Sequence, residues 1–356
     1  MPSGLPSSFN SFVKYTKIQA PNGQAVHFLA QNQLTDAQIV RARNILEFFL
    51  TDVPDTQYGA NKTAVLNQMG NNEATLLLLN GADGEGNEPN VDGQYLFEEE
   101  IAVEGHSWYI NNNYDHRDAA YEEILHLMHD TGIGVDGPNS FPGVLPAYQA
   151  EIRAAQQNAN TNNFAIWPIG ANSGGIQNWY NELSQENSLS QEYLASVVDS
   201  YYGLWGAWTE QTGFGMWGLY IAQTRAEIQT EDPMGMTVMQ QYFSPFIHVN
   251  MDIDPSFNGI FTMTFANATP YTHKSQYLQH CTLTGTNASG LLGNAEYNRL
   301  TGNASDNTLE GVQGNDKLDG KAGTDTAIFT GASNEYTLTS ANGNILVTDN
   351  TANRDG

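Results

Sequence analysis

The residues with the greatest chemical potential lie together between Asp118 and Asp130, a segment with four acidic residues and two histidines. Because an α-helix turns by about 100° per residue, Glu122, His126 and His129 fall on one stripe about 60° wide. Carboxylates and imidazoles bind divalent cations and transfer protons. The spacing therefore predicts a helix with one polar face that can hold a metal ion. The alternatives are a metal site without catalysis and a solvated, salt-bridged face with buried histidines.

The elements that must position this helix are predicted from apolar spacing and terminal signals. Apolar runs at residues 74–80 and 108–110 suit short strands, and four further segments are predicted to be helical: 36–50, 62–69, 147–157 and 190–202. Glu192 lies in the first turn of the last of these helices. Its carboxylate could project toward the acidic helix as another ligand, or it could be an ordinary surface glutamate.

Composition limits the class of protein. The chain has 356 residues with 40% hydrophobic content, which is enough for two domains with their own cores. It carries 13 Lys and Arg against 39 Asp and Glu, a formal charge of -26 that repels nucleic acid and favours cations. Cys281 is the single cysteine, so no intramolecular disulfide is expected. We expect neither a membrane span nor an N-terminal signal peptide.

The region after residue 283 contains an internal repeat of nine residues. Leucine recurs every nine residues, at Leu291, Leu300, Leu309 and Leu318. Glycine follows two positions after each leucine, at Gly293, Gly302, Gly311 and Gly320. Calcium prefers hard oxygen ligands, and the last two repeats supply inward carbonyls and carboxylates from Gly311, Gly314 and Asp316 and from Gly320, Gly323 and Asp325. Asn298 and Asn307 replace aspartate in the earlier repeats, which should bind calcium weakly or only continue the stack. A Gly/Asn-rich linker is the alternative.

These repeats resemble the nonapeptides of RTX, hemolysin-type, calcium-binding parallel β-rolls. Residues 334–338 and 345–349 resemble the strand pair that caps such rolls in proteins exported by type I secretion, including the serralysin-like proteases. The resemblance implies an extracellular protein that uses the type I secretion machinery and folds its repeats outside the cell. The family pattern usually continues beyond a point such as Gly356, so the natural protein is expected to be longer.

The acidic helix carries a second resemblance. Residues 122–126 are similar to the His-Glu-x-x-His motif of gluzincin metallopeptidases, and residues 192–195 resemble the third-ligand helix of that clan, particularly of its anthrax lethal-factor-like branch. The resemblance implies zinc held by His126 and Glu192, Glu123 as the general base, and Tyr201 or Tyr202 as the phenol that steadies an oxyanion. Glu122 stands where the family has its first histidine.

That replacement affects the chemistry of the ion. Two carboxylate ligands should lower its Lewis acidity, although His129 could restore a second nitrogen ligand. An oxygen-rich set of ligands equally suits manganese, iron or calcium.

These patterns together predict an α+β protein. A mainly helical, zincin-like domain at residues 1–280 would precede a parallel β-roll at 281–356. The expected function is a secreted metal-dependent peptidase acting on a peptide or protein. The alternative is a non-catalytic calcium-binding adhesin or polysaccharide-binding protein, in which Trp167, Trp179, Trp205, Trp208 and Trp217 would stack on sugars rather than form an aromatic core.

Overall fold

The computed structural model describes residues 6–85, 88–103, 118–137, 140–204, 213–264 and 277–355. The described chain divides into two compact units, residues 6–103 with 118–245 (unit 1) and residues 246–355 (unit 2). Helices and parallel strands occur together, which confirms the α+β class. The strand predicted at residues 108–110 lies outside the described residues. Among the described helices, none combines the length and apolar character needed to cross a membrane.

Unit 1 contains a four-stranded sheet in the order β1-β2-β3-β4. The strands are β1 (Lys14–Gln19), β2 (Ala25–Ala30), β3 (Thr75–Leu79) and β4 (Gln94–Phe97). Strand β1 pairs antiparallel with β2, whereas β2, β3 and β4 are mutually parallel. The leucines of β3 are fully buried, as its continuous apolar run predicts for an inner parallel strand. This arrangement leaves β4 at one edge of the sheet.

The described helices of unit 1 with seven or more residues are α1 (Asp36–Phe49), α2 (Thr63–Asn71), α3 (Ala120–Met128), α4 (Pro146–Ala159), α5 (Gly174–Glu186), α6 (Leu189–Tyr201), α7 (Arg225–Glu231) and α8 (Pro233–Tyr242). Helices α1 to α4 and α6 lie close to predicted positions, whereas α5, α7 and α8 were not predicted. The start of α1 is fixed by a capping box, in which Thr35 Oγ1 accepts the Gln38 N–H at 3.2 Å and Gln38 Oε1 accepts the Thr35 N–H at 2.9 Å.

The acidic helix α3 is anchored at its first residues by a buried ion pair. Asp118 Oδ2 lies 2.6 Å from Arg41 Nη2 of α1, and both side chains are buried. The other oxygen, Asp118 Oδ1, accepts the Ala120 N–H at 3.1 Å. Asp118 therefore serves to position the helix that carries the candidate ligands.

We expect Asp118→Ala to lower the free energy of unfolding of unit 1 by about 3 kcal/mol, because it removes one partner of a buried ion pair. Urea unfolding followed by tryptophan fluorescence measures this change. The control is Glu47→Ala, which breaks the half-exposed Arg43–Glu47 pair of α1 and should cost at most about 0.5 kcal/mol. Equal losses in the two variants would contradict the anchoring role.

Unit 2 contains two four-stranded parallel sheets, ordered β12-β10-β8-β6 and β11-β9-β7-β5. The strands are β5 (Ile247–Ile253), β6 (Ile260–Thr262), β7 (Leu278–Leu283), β8 (Gly290–Leu292), β9 (Arg299–Thr301), β10 (Thr308–Glu310), β11 (Lys317–Asp319) and β12 (Thr326–Ala327). Successive strands alternate between the sheets, so Leu291 pairs with Leu309 and Leu300 with Leu318. The first three of these leucines are buried, as the repeat predicts.

Two further features of unit 2 bear on the predicted boundaries. The parallel strands begin at Ile247, whereas the predicted domain boundary is at 280. The sequence did not indicate β5 and β6 because these strands lack the nine-residue signature. At the other end, β13 (Tyr336–Ala341) and β14 (Asn344–Asp349) form an antiparallel pair, which agrees with the predicted strand pair.

Four six-residue turns connect β8 to β12, and we number them turn 1 (293–298), turn 2 (302–307), turn 3 (311–316) and turn 4 (320–325). Each turn begins with glycine. A Cβ atom there would collide with the side-chain oxygen of the sixth residue, which is Asn298, Asn307, Asp316 or Asp325. The recurrence of glycine every nine residues thus follows from a side chain that folds back over the start of each turn.

Candidate metal centre

Three predicted ligands converge in unit 1. Glu122 and His126 lie one turn apart on α3, and Glu192 lies in the first turn of α6, which packs against α3. One ligand atom from each residue lies within 4.8 Å of the other two. Glu122 and His126 are buried, and Glu192 is mostly buried. A buried group of this composition could hold a metal ion.

The distance between two of these ligand atoms is compatible with coordination of one ion. His126 Nε2 lies 3.8 Å from Glu192 Oε1, which is longer than a hydrogen bond. Two ligand atoms on one tetrahedral zinc ion are about 3.4 Å apart, given bonds of 2.0 to 2.1 Å. Two carboxylates in one buried group also repel each other unless a cation neutralises them. The donor set of one imidazole and two carboxylates therefore fits a divalent cation.

Glu123, the predicted general base, lies beside this group. Its Oε2 accepts a hydrogen bond of 2.6 Å from Gln94 Nε2 and lies 3.7 Å from His126 Nδ1. From this position a carboxylate can accept a proton from a water molecule, or it can orient the imidazole. Gln94 was not predicted from the sequence, because a single glutamine on an edge strand carries no distinguishing pattern.

His129, the predicted additional nitrogen ligand, is not one of the three residues of this group. Its Nε2 lies 2.6 Å from Gln149 Oε1, and burial lowers its pKa to about 4. A π-helical turn (His129–Ile133) follows α3, but His129 itself keeps helical dihedrals and its N–H still bonds to the Leu125 carbonyl. His129 lies seven residues, about 10.5 Å along the helix axis, beyond Glu122, and its ring bonds to Gln149 of α4.

The two tyrosines predicted to supply an oxyanion-stabilising phenol, Tyr201 and Tyr202, are not among the three residues of the candidate metal group. Tyr201 follows Glu192 by nine residues on α6, which places it on the opposite face of the helix and about 13 Å along its axis. The Arg225 guanidinium lies 3.9 Å from the centre of the Tyr201 ring. The Tyr202 hydroxyl donates to the Ser244 carbonyl at 2.6 Å and is buried.

Unit 1 contains a cavity of about 1140 Å³. Gln94, which holds the Glu123 carboxylate, lines this cavity, as do Leu127 and Asp130 from the end of the acidic segment. The other walls include polar groups such as Asn72 and Gln24. The three candidate ligands and Glu123 are not among the residues that line this cavity, and Gln94 is its link to Glu123. Burial raises the pKa of Asp130.

Of the described tryptophans, Trp167 belongs to the aromatic core, whereas Trp179 is half-buried. Trp167 is fully buried, and its ring centre lies 6.0 Å from that of Trp179 and 5.9 Å from that of Tyr193. Trp217 is 44% exposed. Trp205 and Trp208 lie outside the described residues.

In unit 2 the predicted calcium ligands fall into two separate turns. Gly311, Gly314 and Asp316 belong to turn 3, and Gly320, Gly323 and Asp325 belong to turn 4. Asp316 Oδ1 accepts the Asn298 N–H at 2.8 Å, and Asp325 Oδ1 accepts the Asn307 N–H at 2.9 Å. Burial raises the pKa of Asp316 to about 6. Each predicted set thus lies within one six-residue turn, and calcium binding there stays a prediction.

The chain was also compared with known proteins. No family model, no curated protein and no solved structure matches it. The functional argument therefore rests on the geometry of the two candidate sites.

Proposed function

We propose that unit 1 is a zinc-type metallopeptidase, in which Glu122, His126 and Glu192 hold zinc or another divalent transition metal. The convergence of three ligand atoms within 4.8 Å carries this proposal. Such an ion, when bound, polarises a carbonyl group and lowers the pKa of a water ligand. Glu123 lies at the edge of the same group and supplies the proton acceptor that hydrolysis requires.

The roles of the protein residues follow from their contacts. The Gln94 amide fixes the Glu123 carboxylate, so that the base is oriented before a substrate arrives. The polar cavity beside Gln94 can hold a peptide, since its amide side chains can bond to backbone N–H and C=O groups. The second carboxylate ligand predicts a weaker Lewis acid than a site with two histidines.

For unit 2 we propose an RTX-type calcium-binding β-roll that serves export by type I secretion and folding outside the cell. Strand alternation between two parallel sheets supports the roll, as does pairing between residues 18 positions apart. The positions of Asp316 and Asp325 support calcium as its ion. An extracellular location follows from this proposal.

One observation favours a second candidate function. Glu122 takes the place of a histidine, and a group with two carboxylates and one imidazole also suits harder ions that would not promote hydrolysis. The protein would then be a non-catalytic, calcium-binding adhesin or polysaccharide-binding protein.

Metal analysis of the purified protein distinguishes these candidates. We expect about one equivalent of zinc or another transition metal per chain, and we expect His126→Ala to lose at least about nine tenths of it, because the variant removes the only nitrogen donor of the group. The measurement is inductively coupled plasma mass spectrometry after dialysis against buffer with calcium.

The matched control is His27→Ala, which removes a histidine of the same unit outside the group. It should retain the metal. Calcium alone, unchanged by His126→Ala, would contradict the peptidase proposal and favour the non-catalytic candidate.

A further inference from the structure

The four turns of unit 2 are of two kinds. Turns 1 and 2 carry asparagine at both their second and sixth positions: Asn294 and Asn298 in turn 1, Asn303 and Asn307 in turn 2. Turns 3 and 4 instead have Val312 and Lys321 at the second position and aspartate at the sixth. The first kind is closed by hydrogen bonds between side chains, and the second kind is not.

In turn 1 the two asparagines bond to each other. Asn298 Oδ1 accepts the Asn294 backbone N–H at 2.7 Å, and Asn298 Nδ2 donates to Asn294 Oδ1 at 2.9 Å. Asn294 Nδ2 also donates to the Leu278 carbonyl at 2.8 Å, which ties the turn to strand β7. Asn298 is completely buried. The pair therefore satisfies the polar groups at the centre of the turn from within the chain.

Turn 2 repeats this pattern nine residues later. Asn307 Oδ1 accepts the Asn303 N–H at 2.8 Å, and Asn307 Nδ2 donates to Asn303 Oδ1 at 3.2 Å and to the Ser289 carbonyl at 3.1 Å. Asn303 Nδ2 donates to the carbonyl of Asn287, which lies between β7 and β8, at 3.0 Å. The recurrence on both edges of the stack indicates a built feature rather than a single local contact.

Turns 3 and 4 have a different backbone. Val312 and Lys321 have φ values of 72° and 70°, a left-handed conformation that is unfavourable for a residue with a side chain and especially for valine. Asp316 and Asp325 occupy the place of the buried asparagines. An ionised carboxylate has no hydrogen to donate, so neither residue can make the bond that the Asn298 or Asn307 amide makes.

We infer that the asparagine pairs of turns 1 and 2 take the structural place of a bound cation, so that these turns fold without calcium. Any calcium requirement of unit 2 is then confined to turns 3 and 4. That second statement rests on the calcium binding proposed above, whereas the first depends only on the asparagine contacts.

Hydrogen exchange of the full chain, followed by mass spectrometry with and without EGTA, tests the inference. Peptides covering turns 1 and 2 should stay protected in EGTA, while those covering turns 3 and 4 should exchange at least about ten times faster than in calcium. Rapid exchange of turns 1 and 2 in EGTA would overturn it. If EGTA leaves all four turns equally protected, the calcium proposal for turns 3 and 4 fails, and the inference for turns 1 and 2 stands.

Matched variants give a second test in EGTA. The double variant Asn298→Asp, Asn307→Asp removes both amide donors and should lower the melting temperature of unit 2 by about 10 °C. The control Asn315→Asp makes the same chemical change at an exposed position of turn 3 and should shift it by no more than about 2 °C. Equal shifts in both proteins would overturn the inference.

A third variant separates the two statements. Asp316→Asn with Asp325→Asn should abolish the rise in melting temperature that calcium gives the wild type, and it should leave the protection of turns 1 and 2 in EGTA unchanged. Loss of that protection would overturn the separation between the two kinds of turn.

Discussion

Glu123→Gln is expected to reduce peptide hydrolysis by at least about a hundredfold while the metal content stays the same. Glutamine keeps the size of the side chain and its contact with Gln94, but it cannot accept a proton. Glu123 is not one of the three residues whose ligand atoms converge, so the ion should remain. Hydrolysis of casein and of a fluorogenic peptide library, with parallel metal analysis, measures both quantities.

The control for this experiment is Glu47→Gln, which makes the same change on the surface of α1 and should leave hydrolysis unaltered. Unchanged hydrolysis in Glu123→Gln would contradict the assigned base. A fall in metal affinity of about ten to a hundredfold would instead show that Glu123 acts by orienting His126 through Nδ1, which lies 3.7 Å from its carboxylate.

Stability of unit 1 is expected to rise between pH 7 and pH 9.5 because of Lys62. This ammonium group is buried, donates to the Phe49 carbonyl at 2.9 Å and lies 4.3 Å from the centre of the Tyr242 ring. Burial lowers its pKa from 10.5 to about 7, against a smaller opposing effect of Asp52. Between the folded and unfolded pKa values the unfolded chain binds more protons, so the free energy of unfolding increases with pH by about 3 kcal/mol over this window.

Lys62→Met should remove this increase and raise stability at pH 7, since a neutral side chain of similar length carries no cost of charge burial. Urea unfolding at several pH values, followed by tryptophan fluorescence, measures the slope. Lys17→Met removes the same charge from an exposed position and should keep the pH dependence of the wild type. A slope that persists in Lys62→Met would show that other groups cause it.

Local patterns predicted much of this protein. The capping residues and apolar spacing predicted α1 to within one residue of its observed end, and the nine-residue repeat predicted the buried leucines and the glycines of the turns. Glu122 and His126 lie one turn apart on α3, as their spacing predicted. These features depend on helical or repeat periodicity, which a sequence records directly.

Other features depended on contacts between distant residues. The closeness of Glu192 to His126 was decided only by the packing of α6 on α3, because Glu192 follows Glu122 by 70 positions along the chain. Strands β1, β2 and β4 were not predicted, although Gly23, at φ 90°, lies between β1 and β2 where a turn signal existed. The contact of Gln94 with Glu123 has no signal in either segment.

His129 shows most clearly what only the tertiary structure could decide. The sequence by itself determined that acids and histidines share a helix, because side-chain direction follows from a regular rotation per residue. It did not determine which neighbouring element each side chain would contact. His129 keeps its helical dihedrals, and its ring bonds to Gln149 of α4, a residue of an element that is separate from α3 in the sequence.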